Sequence, residues 1–155
     1  MIAWLEGIVF GGIALTTEAL EHATGGRELS FAQWRAILQV GNGEDGCRVG
    51  EVASFLHAAL PGTSRLLRRL ERRGLLTLER DEQDRRATRA RLTPLGAQLR
   101  SSVLGYRRDE IAAIVDSVRP AATADRTLRD LAAQFDARGQ IPRRLNRGAS
   151  DSEGT

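Results

Sequence analysis

Apolar residues recur at helical spacing over the first two dozen positions, where Trp4, Leu5, Ile8, Val9, Leu15, Ala19 and Leu20 form one stripe that Gly25 and Gly26 close. The pattern predicts a buried first helix. Gly11 and Gly12 within it each cost about 1 kcal/mol relative to alanine, so this helix is expected to depend on close packing against another, from this chain or a partner subunit. Ser30 is placed to cap a second helix from about Phe31 to Val40, with Phe31, Trp34, Ile37 and Leu38 on its inner side. A flexible connection over residues 41–46, with Cys47 in the same loop, leads to a short third helix from Val49 to Leu56.

The next element runs from Leu60 to Gly74, with Pro61 suited to a first helical position and Gly74 to the position just past the end. At 100° per residue, Thr63, Leu66, Leu67 and Leu70 share a narrow apolar arc. Pro61, Arg65, Arg68 and Arg72 lie opposite, flanked by Gly62, Ser64 and Arg69. Then Leu75 to Arg80 and Thr88 to Thr93 alternate side-chain type around a charged loop from Asp81 to Ala87, which predicts a β-hairpin with a charged tip. Thr93 and Pro94 open a long helix to about Val118, with Leu95, Leu99, Val103 and Tyr106 on one stripe, and a last helix spans about Ala124 to Ala137 with Leu128, Leu131 and Phe135. The tail from residue 139, with Arg143, Arg144 and Arg147 before a Gly/Ser/Asp run, reads as disordered.

Length places all of this in a single core with flanking helices, since 155 residues leave no room for a second catalytic lobe. The apolar start lacks a basic leading region, is interrupted by Glu6, and is too short to span a bilayer, so no membrane association is expected. A single cysteine excludes an internal disulfide or a cysteine-based zinc cluster and suits a reducing, cytoplasmic compartment. Gly-rich phosphate loops and His-Glu-x-x-His or Cys/His ligand spacings are missing, and His22 and His57 stand apart. Neither catalysis, nor a metal, nor a cofactor is expected, and His57 reads as a surface residue at a helix end.

Charge changes the picture most. All 23 basic residues are arginine, and ten of them fall between Arg65 and Arg91 against five acids, a local balance of +5 in a chain whose net charge is only +3. Coding bias accounts for the lack of lysine but not for the clustering. Surface helices ordinarily mix signs at i,i+4, whereas positions 65, 68, 69, 72 and 73 repeat positive charge and repel one another unless an anion faces them. Phosphate supplies that anion.

The segments "SRLLRRLERRGLL" and "ERDEQDRRATRARLTPLG" resemble the recognition helix, the Asp-Arg-Arg wing and the Leu-Thr-x-x-Gly helix start of the multiple antibiotic resistance regulator (MarR) family. The resemblance covers about Leu29 to Leu104. The sequence departs from the family pattern in having Ala59 or Leu60 at the helix cap, where Ser or Thr is usual, and in the Gly11-Gly12 pair. Resemblance implies a mainly α winged helix-turn-helix with a small β-hairpin wing. It divides the chain into an N-terminal dimerisation helix (1–28), a DNA-binding lobe (29–93), C-terminal dimerisation helices (94–138) and the tail (139–155). It further implies a triangular homodimer acting as a transcription regulator, expected to repress, on a pseudo-palindromic double-stranded DNA operator.

An α-helix fits the roughly 12 Å major groove, and Arg is the usual bidentate reader of guanine. Arg65 and Arg68 are the base-reading candidates, Pro61, Gly62 and Ser64 occupy the approaching N-terminal turns, and Arg69, Arg72 and Arg73 suit phosphates. In the wing, Arg85, or else Arg86, is expected to enter the minor groove, with Asp84 bracing its neighbour's guanidinium. Resemblance also implies a pocket for a small aromatic or anionic effector between the dimerising helices and the DNA-binding lobe, for which Phe10, Trp34 and Tyr106 are candidate linings, although aromatics so spaced equally suit a plain core. Two other readings stand beside this one: a winged helix for protein or RNA contacts, and a regulator whose redox switch is Cys47, with Arg48 lowering the thiol's pKa.

Overall fold

The computed structural model describes residues 2–25, 28–43, 45–118 and 122–137, with the side chains of 2–4, 118, 122–125 and 135–137 also left aside. The disordered tail expected from residue 139 therefore lies outside the described residues. Among the described residues the elements are, in order, α1 (Ile2–Thr24), α2 (Phe31–Val40), β1 (Cys47–Arg48), α3 (Val49–Leu56), α4 (Leu60–Arg72), β2 (Leu76–Arg80), β3 (Thr88–Leu92), α5 (Pro94–Val118) and α6 (Ala122–Ala137).

Local chemistry sets most of the boundaries. Ser30 Oγ accepts the Gln33 N–H at 3.3 Å while Gln33 Oε1 accepts the Ser30 N–H at 2.9 Å, a reciprocal cap that starts α2. His57, exposed as expected, closes α3 in the left-handed conformation at φ 52°. The helix after Ala59 begins without a side-chain cap, Pro61 taking its first turn.

The sheet is antiparallel in the order β1-β3-β2. Leu78 pairs Ala90 across the hairpin and Cys47 pairs Ala90 on its other side. The sequence reading missed β1, because a two-residue strand has no alternation to detect. Gly46 makes the pairing possible: it sits at φ 77°, and a Cβ there would collide with the Ala90 carbonyl. The segment read as a flexible connection thus ends in a strand.

The core joins Trp34, Ile37 and Val40 of α2, Val52 of α3, Leu67 and Leu70 of α4, Leu76 of β2 and Val103 of α5. Helices α1 and α5 pack together. Thr16, Ala19 and Leu20 of α1 are buried, but Ile8, Val9 and Phe10 are more than half exposed, so the expectation of a buried first helix holds only for its second half. A Cβ at Gly11 or Gly12 would meet nothing within 4 Å, and these glycines serve no close approach inside this chain.

One joint ties the hairpin to α5. Thr93 Oγ1 donates to the Gly74 carbonyl at 2.6 Å and accepts the Gly96 N–H at 3.1 Å, and the Thr93 N–H reaches the Leu75 carbonyl at 3.2 Å. A Cβ at Gly96 would strike that same Leu75 carbonyl. No described helix is long and apolar enough to cross a membrane.

Candidate nucleic-acid interface

Helix α4 buries Thr63, Leu67 and Leu70, half-buries Leu66, and turns Pro61, Gly62, Arg65, Arg68, Arg69 and Arg72 to solvent, with Ser64 half-buried beside them. The two-faced helix expected from spacing is present. Glu71, the one acid of the helix, is drawn aside, its Oε1 accepting the Leu78 N–H at 3.0 Å. Among the described residues, Arg65, Arg68, Arg69 and Arg72 have no ion-pair partner. Arg73 departs from its expected role toward phosphate. Its Nη1 donates to the Glu28 carbonyl at 2.7 Å, which fastens the guanidinium to the segment before α2.

The loop between β2 and β3 is built around an acid that charge counting passed over. The Asp81 side chain is fully buried, pairing with Arg48 Nη2 at 3.1 Å and Arg89 Nη2 at 2.6 Å. It also accepts Arg48 Nε at 3.1 Å, Arg89 Nε at 2.7 Å, and the N–H groups of Gln83 and Asp84 at 3.0 and 2.9 Å. The Arg48 guanidinium, foremost, holds the Asp81 carboxyl well below the usual carboxylate range against the opposing effect of burial. One carboxylate thus binds β1, the loop and β3 together. Asp84, expected to brace a guanidinium, instead accepts the Arg86 N–H at 3.0 Å and shapes the tip, where Arg85 and Arg86 are exposed. The bracing acid is Asp81, three residues earlier, and no local spacing marks it because its cations come from positions 48 and 89.

Between α3, α4 and the wing lies a groove of about 530 Å³ whose lining includes Arg48, Ser64, Arg68 and Arg86. A second cavity, about 560 Å³, sits where α1, α4 and α5 meet, lined in part by Ala23, Arg72, Arg73, Leu75 and Leu99. Phe10, Trp34 and Tyr106 do not line it. Phe10 is 71% exposed, Trp34 is 1% exposed within the core, and Tyr106 donates its hydroxyl to Glu18 at 2.9 Å.

Cys47, expected in a loop, is buried in β1. Burial first, and then the Glu51 carboxylate 3.3 Å from its sulfur, push its pKa up to about 12, opposite to the lowering expected from Arg48. Among the described residues no group of His, Cys, Asp and Glu is arranged to hold a metal ion.

Residues 28–87 match the family model described as MarR family. No curated protein matches the chain significantly by sequence. Among solved structures, a protein from Mycobacterium tuberculosis superposes with a TM-score of 0.70 at 23% identity, over 90% of this chain and 94% of that one. A MarR family protein from Bacillus stearothermophilus gives 0.67 at 24% identity, over 87% and 95%. A mutant of MepR from S. aureus, bound to an oligodeoxyribonucleotide, gives 0.57 at 20% identity, over 90% and 99%.

Proposed function

Since residues 28–87 match the MarR family model and the fold is that of MarR family structures, we propose that the protein is a transcription regulator of that family, a repressor, that binds a pseudo-palindromic duplex as a homodimer. One observation carries this reading: α4 presents Arg65, Arg68, Arg69 and Arg72 on one exposed face with no ion-pair partner among the described residues, beside a wing that exposes Arg85 and Arg86. An unneutralised guanidinium face of helical width suits a major groove, and an arginine-tipped hairpin suits the minor groove next to it. Arg65 and Arg68 read base edges, Pro61, Gly62 and Ser64 approach them, and Arg69 and Arg72 hold phosphates. The DNA-bound MepR relative supports the choice of duplex as partner.

The dimer is supported by apolar side chains left exposed on the flanking helices: Ile8 and Phe10 of α1, Ile111 and Ile114 of α5, and Leu128 of α6. Release by a small aromatic or anionic effector belongs to the same reading. The cavity at the junction of α1, α4 and α5, with Arg72 among its lining residues, offers an anion a guanidinium.

The test is a titration of the protein with mixed-sequence duplex across a range of salt. Log K is expected to fall with log[salt] by about 0.9 per neutralised phosphate, and Arg72→Ala to flatten the slope by about that amount. Binding that salt leaves unchanged, or a preference for single-stranded RNA, would replace this function with another.

A further inference from the structure

We propose that Arg48, held in place by Asp81, is a phosphate ligand for the DNA strand that runs between recognition helix and wing. The inference rests on the reading of the protein as a duplex binder and adds a contact outside the arginine-rich segment. A duplex that offers its major groove to α4 and the adjacent minor groove to the wing must pass the strand separating those grooves across the space between the two elements. That space is the groove lined by Arg48, Ser64, Arg68 and Arg86. Two acids also line it, and both are engaged with backbone donors: Glu51 Oε2 accepts the Arg48 N–H at 2.8 Å, and Asp84 Oδ1 accepts the Arg86 N–H at 3.0 Å.

Arg48 is prepared for an anion in a way that the unpaired arginines of α4 are not. Asp81 takes its Nε and Nη2, which leaves Nη1 without a partner among the described residues, on a side chain 36% exposed. The grip fixes the guanidinium plane before DNA arrives, so its rotamers need not be frozen on binding. Asp81 receives two guanidiniums, and its one negative charge leaves the cluster net positive. Asp81 is therefore a positioning residue: it touches no DNA itself and acts through Arg48.

This arrangement has a counter-intuitive signature. Deleting an acid from a DNA-binding protein ordinarily strengthens binding, because the net charge rises. Asp81→Asn is expected to weaken it, because the amide no longer fixes Arg48. The experiment measures affinity for mixed-sequence duplex at several salt concentrations, together with thermal unfolding, for the full chain and three variants. Arg48→Gln is expected to reduce the slope of log K against log[salt] by about 0.9. Arg89→Gln removes the other cation from Asp81 without removing a lining residue of the groove, so it is expected to lower the unfolding temperature and leave the slope unchanged. Asp81→Asn is expected to bind less tightly than wild type. A wild-type slope in Arg48→Gln, equal slope losses in Arg48→Gln and Arg89→Gln, or tighter binding by Asp81→Asn would each overturn the proposal. Should Asp81→Asn fail to fold, the comparison of Arg48→Gln with Arg89→Gln decides alone. Wild-type protein that binds no duplex would instead overturn the regulator reading itself, a result distinct from all of these.

Discussion

Cys47 illustrates how far a single side chain's environment can depart from what its neighbours in sequence suggest. Its sulfur lies against Glu51 and within 3.7 Å of Gln39 Nε2, 5% exposed. A thiol whose pKa is pushed up to about 12 from 9.0 keeps its proton throughout the neutral range. The thiolate is the reactive species, so iodoacetamide at pH 8 is expected to leave the folded protein unmodified and to alkylate it fully once unfolded, as mass spectrometry would show. Peroxide is likewise expected to leave DNA binding unchanged. The sign of the pH effect follows: the raised value favours the folded state fully below about pH 9, and that contribution is lost as pH climbs toward 12. Sequence made Arg48 the obvious influence on this thiol, but the Arg48 side chain turns to Asp81, 33 positions away, and the Glu51 carboxylate, four residues on, lies 3.3 Å from the sulfur. Pairings across such separations leave no trace in local spacing. For the same reason the pairing of Arg48 with Asp81 went unread while the charged tip at Asp84 to Arg86 was visible.

At the level of elements, the caps and breakers carried most of the information. Ser30, Pro61, Gly74 and the Thr93-Pro94 pair marked the ends of α2, α4 and α5 because each solves a local backbone problem. Strand β1 and the exposed half of α1 were not legible, since one is defined by its partner strand and the other by surface that this chain leaves uncovered. Two predictions belong here. Arg65→Ala or Arg68→Ala is expected to cost about 1 to 3 kcal/mol of binding and relax preference at one base pair, while Arg85→Ala weakens preference for A·T-rich flanks, as competition among duplex libraries would report. Equal losses on every sequence would reduce all three to phosphate contacts. Gly96→Ala drives a methyl group into the Leu75 carbonyl, where backbone rather than a flexible side chain must yield. A loss of about 1 to 3 kcal/mol is expected in chemical denaturation, and an unchanged midpoint would show that the joint gives way freely.

For the whole molecule, the mainly helical architecture with an arginine-tipped hairpin was readable from the chain, and of the two readings open for Trp34, pocket lining or core, the structure buries it in the core. The exposed Ile114 and Val115 of α5 are expected to lie in the proposed dimer contact. Replacing both with glutamate should shift sedimentation toward a monomer and weaken operator binding, and an unaltered dimer would place the contact elsewhere. Helix α5 is also a lever. Its 25 residues span about 37 Å, and its first turn is clamped to the end of α4 and the start of β2 by Thr93 and Gly96. A tilt of about 5° at its far end sweeps the near end through about 3 Å, carrying α4 with it. In the proposed homodimer, two such levers moving symmetrically would change the separation of the paired recognition helices by about 6 Å, set against half-sites roughly 34 to 36 Å apart. A small angular displacement far from any base pair would thereby be enough to take both readers of the proposed dimer out of step with the turns of the duplex.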